Sequence, residues 1–139
     1  MPSRPLTRDE CMTRLASHSI GRIAVTSQAL PAIVPVNYSL TGRTTVVFRT
    51  EPGGMLARAT NDTVVAFEVD ELARDGRSGW SVLVVGVAHH VEGSTLMRAL
   101  ETRVVSAMGD GRDQFVAITV GQVTGRCVEP TPAPLAGAL

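Results

Sequence analysis

The chain has 139 residues and contains no lysine, so its 13 basic side chains are all arginines, which balance 13 acidic residues for a formal net charge of zero. This length predicts a single domain, and 44% hydrophobic with 19% charged residues is typical of a folded globule rather than a disordered chain. Without a cluster of basic residues, the sequence argues against nucleic acid as a partner.

The longest apolar run, Val82–Ala88, is far shorter than the ~20 residues that a membrane span requires. No hydrophobic signal segment follows Met1, so we expect no membrane partner and a cytoplasmic location. Cys11 and Cys127 lie near opposite ends without metal-type spacing, which predicts free thiols and no metal site. We expect one domain over 1–129 and a flexible, Pro- and Ala-rich tail over 130–139.

The N-terminal third predicts a short helix followed by a β-hairpin. Thr7 and Glu10 have the spacing of a capping box, and the helix should end near Ser17. Ile20–Thr26 and Leu30–Leu40 are rich in β-branched residues and are joined by a short connection, which is typical of a hairpin.

Two prolines, Pro31 and Pro35, lie in the second hairpin strand. Because proline has no N–H to donate, we expect it to face an edge, a bulge or a ligand. A third strand is predicted over Thr44–Arg49, and a Gly-Gly turn then leads to a helix of one or two turns at Met55–Ala59.

The remaining elements are two strands, a helix and a last strand. We predict strands over Thr63–Asp70, Trp80–Val91 and Gln114–Cys127, and a helix capped by Ser94. Trp80–Val91 is apolar on both faces, as expected for a strand covered from two sides. The order favours a mainly β fold, a small antiparallel barrel of six strands with helices over its openings. Burial is predicted for Val65, Phe67, Val82, Leu83, Val84, Val116 and Ile118.

The sequence contains no nucleophile elbow, P-loop or metal triad, so no catalytic residue is identified. His89 and His90 are adjacent on a strand and point to opposite faces, so they cannot share a metal ion. We interpret them, and His18, as structural. If the protein is an enzyme, a bound cofactor would carry its reaction.

Three segments could bind such a cofactor, and each has a structural alternative. Pro35–Tyr38 could meet a heteroaromatic ring, or be an ordinary edge strand. Phe48–Met55 passes from Arg and Thr through glycines to a helix, which suits a phosphate but also a simple connection. Gly79–Val82 carries the sole tryptophan, which could cover a ligand or anchor the core.

Taken together, these segments resemble the pyridoxamine 5'-phosphate oxidase-like family of split-barrel flavin-binding proteins. The resemblance extends from about Thr7 to Arg126 and lies in the order of the motifs rather than in any single one. The motifs are Ser19–Ala24, Pro35–Tyr38, Val47–Thr50 before the Gly-rich turn, Trp80–Ala88 and Val123–Arg126.

The resemblance implies a six-stranded split barrel of the FMN-binding type and a homodimer with two FMN sites along the subunit interface. It also implies flavin-mediated hydride or electron transfer to a small organic substrate. Val34–Asn37 would lie against the isoalloxazine ring, Arg49 and Thr50 near the ribityl phosphate, and Trp80 and Ser81 near the cofactor or the opposite subunit. The implied cofactor-binding set is Val34, Pro35, Val36, Asn37, Phe48, Arg49, Thr50, Gly54, Met55, Leu56, Trp80 and Ser81.

One position departs from the family pattern. Relatives commonly have Ser or Thr followed by Lys or Arg where this chain has Gly54 and Met55. A lost charge-assisted phosphate contact weakens binding by roughly one to two decades, and Arg49 or Arg58 could supply the missing charge. A reductase that uses the deazaflavin F420, and a non-catalytic flavin- or haem-binding protein, therefore remain the alternative hypotheses.

Overall fold

The structure is a computed structural model, and it describes residues 3–92 and 114–129. Within them the chain forms seven strands and two helices. In chain order these are β1 (Ser3–Pro5), α1 (Arg8–Ala16), β2 (Ile20–Ser27), β3 (Leu30–Thr41), β4 (Thr45–Thr50), α2 (Met55–Ala59), β5 (Thr63–Leu72), β6 (Gly79–His90) and β7 (Gln114–Val128).

The strands form one antiparallel sheet that closes on itself. Its order is β1-β7-β4-β3-β2-β5-β6, and β6 also pairs with β7 along nearly its whole length. The six predicted strands, β2 to β7, therefore make the ring, which confirms the expected barrel. Closure removes most unpaired strand edges.

The two tight hairpins turn through left-handed residues. Gln28 and Ala29 join β2 to β3 with φ angles of 51° and 65°, and Gly42 and Arg43 join β3 to β4 with 61° and 58°. Consecutive positive φ values match the twist of paired strands. The β2–β3 turn achieves this without glycine, so its alanine adopts a conformation that costs free energy.

A bulge in β7 changes which residues face the barrel interior. Gly86 pairs with Val120 while its neighbour Val85 pairs with Gln122, so Gly121 is the extra residue. Even-numbered residues such as Ile118 belong to the main core before the bulge, and odd-numbered ones such as Cys127 belong to it after the bulge. A Cβ on Gly86 would overlap the carbonyl oxygen of Thr119, so this close approach requires glycine.

Helix α1 packs at the start of β6 and is fixed by side chains from several elements. Thr7 and Glu10 form the predicted capping box, with Thr7 Oγ1 accepting from the Glu10 N–H at 3.2 Å. Leu15 is fully buried, and its carbonyl accepts from the Tyr38 hydroxyl. The edge of the Tyr38 ring meets Phe67 with 4.9 Å between centroids, which connects α1 to the centre of the core.

Helix α2 lies near the other end of β6. His90 Nε2 is 2.7 Å from the carbonyl oxygen of Ala57, which only accepts, so the imidazole donates. Thr60 is buried at the end of the helix, and its hydroxyl donates to Leu56 O at 2.7 Å. The His90 bond and the burial of Leu56 and Ala59 in the core tie this helix of five residues, too short to be stable alone, to the barrel.

The structure differs from the sequence predictions in two details. Strand β1, which pairs with the end of β7, was not predicted. The predicted burial of Leu83 is wrong, because its side chain is 42% exposed, whereas its neighbours Val82 and Val84 are fully buried. Strand alternation places Leu83 on the outer face of β6, away from the core. The other residues predicted to be buried are in the core.

The helix predicted after Ser94 and the tail over 130–139 lie outside the described residues. In the part of the chain that the structure does describe, no helix is long and apolar enough to cross a membrane.

Candidate functional site

The ring of strands is split between β3 and β4. The two strands pair only where Tyr38–Thr41 faces Thr45–Phe48. Before Tyr38, β3 pairs with β2 alone, and after Phe48, β4 pairs with β7 alone. The diverging strands leave a cleft between the first part of β3 and the end of β4, which we call the split.

One edge of the split is the unpaired backbone of β3. The N–H of Tyr38 donates to Ser19 O at 2.9 Å, so even-numbered residues of β3 turn their backbone groups toward β2. The odd-numbered residues Pro31, Ile33, Pro35 and Asn37 then turn theirs toward the split. Because two of the four are prolines, the edge offers carbonyl oxygens at every odd position but N–H groups only at Ile33 and Asn37.

The side chains along this edge alternate between interior and exterior. Val34 and Val36 are partly buried against the core, whereas Pro35 is exposed and Asn37 is half-buried. The valines predicted to touch a ring therefore turn their side chains toward the core and their backbone groups toward β2, whereas Asn37 offers both a backbone and a side-chain donor to the split.

The opposite edge is the end of β4. Phe48 is fully buried in the core, so its side chain does not reach the split. Arg49 points to the other face of the strand, where its guanidinium carbon lies 5.2 Å from the centre of the Phe115 ring, a cation–π contact. Thr50, half-buried, is the last residue of the strand and pairs with Gln114.

Helix α2 follows β4 and reaches the β2–β3 turn. Gly54 is its N-cap and makes no side-chain capping bond. Met55 is 37% exposed, whereas Leu56 is buried in the core. Of the two predicted binding residues Met55 and Leu56, only Met55 can offer its side chain to a ligand.

Trp80 and Ser81 do not lie at the split. Both residues lie at the start of β6, which is separated from β3 in the sheet by β2 and β5. The Trp80 ring packs edge-on with His18, 4.9 Å between centroids, and lies 5.3 Å from the Arg14 guanidinium carbon. Within one chain, the predicted site residues thus fall into one group at the split and another group beside α1.

A charged network that no sequence motif indicated lies on the outer face of the sheet. Arg22 Nη2 lies 2.9 Å from Glu68 Oε1 and 2.8 Å from Asp70 Oδ1. Burial, and after it a hydrogen bond to Asp70, raises the pKa of Glu68. The same hydrogen bond, and after it the contact with Arg22, lowers the pKa of Asp70. Glu68 therefore holds a proton more tightly than Asp70. Strand alternation places Glu68 and Asp70 on one face of β5, but the pairing of Arg22 with them depends on the β2–β5 register, which no local pattern gives.

No group of three or more His, Cys, Asp or Glu residues in 3–92 and 114–129 is arranged to hold a metal ion. His18 contacts Glu71 Oε2 at 3.2 Å through Nε2, and His90 fastens α2, so both have structural contacts. Both cysteines are buried and unpaired, as predicted.

Comparison with known proteins finds relatives with this architecture. The protein Rv0080 of Mycobacterium tuberculosis is 36% identical over 125 residues, 86% of this chain and 82% of the relative. The structure of the FAD binding protein from Mycobacterium smegmatis is 30% identical, covers 92% of this chain and 100% of its own, and superposes with a TM-score of 0.72. A FAD-binding protein from Mesorhizobium loti, 24% identical over 93% of this chain and 100% of its own, has the same fold with a TM-score of 0.75.

A family-level match agrees with the motif order noted in the sequence. The family described as pyridoxamine 5'-phosphate oxidase matches residues 7–127, which include both edges of the split and most of the barrel. With its closed sheet, its split and its 36% identical relative, this chain belongs to the pyridoxamine 5'-phosphate oxidase family.

Proposed function

We propose that the protein binds a flavin nucleotide in the split and uses it to oxidise or reduce a small organic substrate. The observation that carries this proposal is the unpaired edge of β3, where Pro31 and Pro35 leave N–H groups only at Ile33 and Asn37. Such an edge can bond a planar ring that carries both donors and acceptors. Because proline has no N–H, the two proline positions leave no backbone donor without an acceptor.

The residues around the split fit a flavin. An isoalloxazine ring has carbonyl oxygens and ring nitrogens along one edge, and its redox chemistry is hydride or electron transfer. The Asn37 N–H and side chain can donate to such acceptors, and the Pro35 carbonyl can accept from a ring N–H. Val34 and Val36, partly buried beneath the edge, make the floor apolar and exclude water.

FAD is the favoured nucleotide, although the resemblance to the family led us to expect FMN. Support comes from the Mycobacterium smegmatis FAD binding protein, which is 30% identical and matched over its full length. Chemistry agrees with this choice. The terminal phosphate of FMN is a monoester with close to two negative charges, whereas each phosphate of FAD carries one. Met55, in the place of a cation, suits the lower charge density better.

The site is completed by a second copy of the chain in this proposal. Ile33, Val64 and Val87 are 71%, 66% and 47% exposed, and together with Leu83 they place apolar side chains on the outer faces of β3, β5 and β6, beside the charged network of Arg22, Glu68 and Asp70. A face of this kind is typical of an interface. A second copy related by a two-fold axis could also place its own Trp80 and Ser81 near the split. Within a single chain these two residues lie away from it.

The test is a titration of the purified protein with FAD, FMN, riboflavin and F420, followed by absorbance and fluorescence, with light scattering for the mass. We expect micromolar or tighter binding of FAD and a dimer. Tighter binding of F420 than of either flavin would replace the proposal by the deazaflavin alternative, and no response to any of the four would overturn it. Bound flavin without NADPH-dependent turnover of any acceptor would indicate storage or sensing.

The role of the β3 edge can be isolated at Asn37. Asn37→Pro removes the N–H and the side-chain amide, whereas the matched control Asn37→Ala removes only the amide. Ile33→Pro removes the other N–H at the same edge. We expect Asn37→Pro to weaken FAD binding about three- to tenfold beyond Asn37→Ala, the size of one net hydrogen bond. Equal affinities for the two Asn37 variants would place the ring elsewhere.

A further inference from the structure

A cavity of mixed polar and apolar lining lies beside the split, between the β2–β3 turn and helix α2. It has a volume of about 150 Å³ and is lined by Thr26, Ser27, Gln28, Met55, Arg58 and Ala59. We call it the hairpin–helix pocket. A water molecule takes about 30 Å³ in the liquid, so the pocket has room for a phosphate group with some water.

The lining of the pocket is positively charged and rich in donors. Thr26 and Ser27 contribute hydroxyls, Gln28 an amide and Arg58 a guanidinium, and none of the lining residues is acidic. Across the part of the chain that the structure describes, no carboxylate forms a salt bridge with Arg58. A cation that shares a cavity with hydroxyl groups and has no acidic residue among the lining side chains is an arrangement that can bind an oxyanion.

The guanidinium of Arg58 is already oriented. Its Nη1 donates to the carbonyl oxygen of Gly53 at 2.7 Å, in the turn that leads into α2. Guanidinium has five N–H donors in a fixed plane, so this bond leaves others for a ligand. Met55 and Arg58 both line the pocket from positions three apart on the helix, which places them on one face.

The position of the pocket suits one end of an elongated ligand. It lies at the turn where β3 begins, and Pro35 follows Leu30 by five positions, about 17 Å at 3.3–3.4 Å per residue. A ring at Pro35 and Asn37 and an anion at Arg58 would therefore belong to one long molecule. A flavin nucleotide has this shape, with its ring at one end and phosphate at the other.

We infer that the hairpin–helix pocket binds a phosphate of the flavin nucleotide, and that Arg58 supplies the charge absent at Met55. This inference rests on the proposed function. In this chain the phosphate charge comes from one helical turn later than the position where relatives carry their cation. Arg49, the other arginine near the split, lies against Phe115 on the outer side of β4 instead.

The experiment compares ligands that differ only in phosphate. Arg58→Gln removes the charge and retains a donor, and Arg74→Gln, an exposed arginine in the β5–β6 loop, is the matched control. Binding of riboflavin, FMN and FAD is titrated for each protein. We expect Arg58→Gln to weaken FAD and FMN roughly ten- to a hundredfold and riboflavin by less than twofold, with Arg58→Lys in between and Arg74→Gln unchanged.

Three results separate the possible failures. An equal loss for riboflavin would mean that Arg58 only supports the Gly53 turn, and unchanged FAD and FMN affinity would place the phosphate elsewhere; either overturns the inference while flavin binding stands. If no flavin binds to any of the proteins, the proposed function fails. Calorimetry with inorganic pyrophosphate then tests the hairpin–helix pocket separately. Binding heat with the wild-type protein that is lost in Arg58→Gln supports an anion site in the pocket, and the absence of heat with the wild-type protein overturns it.

Discussion

The two helices of this barrel, at opposite ends of β6, are held in contrasting ways. α1 has nine residues, a complete capping box and three buried side chains. α2 has five residues, of which Leu56, Ala57 and Ala59 are buried, a glycine cap without a side-chain bond, and a hydrogen bond donated by His90 of β6. The longer helix with the complete cap lies away from the split, and the shorter helix with the weaker cap borders it. We therefore expect substitutions at the α1 end to change mainly stability, and substitutions at the α2 end to change binding as well.

The largest effect should come from breaking the packing beneath α1. Phe67 is fully buried and meets the Tyr38 ring, whose hydroxyl holds Leu15. We expect Phe67→Ala to lower the free energy of unfolding by about 3 to 5 kcal/mol, measured by chemical denaturation. A change near zero would show that the ring is not part of the core. Flavin affinity of the folded fraction should change little.

The fastening of α2 should be weaker but more important for binding. His90→Phe removes the donor at 2.7 Å from Ala57 O, which keeps only the longer bonds from Thr60 N and Oγ1 at 3.4 and 3.3 Å. The expected cost is about 1.5 kcal/mol, the upper end for one net hydrogen bond, and FAD affinity should fall because Met55 and Arg58 lie on the loosened helix. His89→Phe, at the neighbouring position on the other face of β6, is the control. Loss of stability without loss of affinity would contradict the assignment of binding to this end.

Removing the N-cap of α1 gives a smaller effect. Thr7→Ala eliminates the acceptor for the Glu10 N–H, and we expect it to lower stability by about 1 kcal/mol without changing flavin affinity. Thr7→Ser retains the cap and should behave like wild type. The midpoint of urea unfolding and one FAD titration for each variant check both statements. A weakened titration would mean that the two ends are coupled.

The smallest effect is a difference in acid sensitivity. A hydrogen bond from Arg4, then the Thr7 N–H, lower the pKa of Glu10 to about 2 from 4.5. The folded protein therefore binds this proton less readily than the unfolded chain, so the contribution of Glu10 is complete above pH 4.5 and disappears as the pH falls toward 2. Stability curves of wild type and Glu10→Gln should converge over that range. Parallel curves would refute the capping role of Glu10. Helix α2 should show no such acid sensitivity, because it has no acidic residue in its first turn.

The sequence predicted the regular parts of the molecule well. Alternation in β5 placed Val65, Phe67 and Val69 in the core, and the Thr7–Glu10 spacing identified the cap of α1. These features are local, since each depends on residues a few positions apart. Strand β1 escaped prediction because three residues without a pattern join the sheet only through their partners in β7.

The candidate site was less predictable because it depends on which strands separate. Nothing within β3 or β4 alone states that they pair at Tyr38 and diverge before it. The proline signal was correct, because Pro31 and Pro35 do lie on an edge. The distance of Trp80 from that edge, the exposure of Leu83 and the cavity at Arg58 all follow from the arrangement of strands and helices in space.

The prolines of β3 have a consequence for how chains meet one another. An open strand edge invites a strand from another molecule, and such pairing begins aggregation. An incoming strand needs a continuous row of N–H and carbonyl groups, and Pro31 and Pro35 interrupt that row at alternate positions. A small ring needs only one or two bonds and is not hindered by the gaps. The split can therefore stay open to a ligand in a crowded solution while resisting the addition of an extended chain.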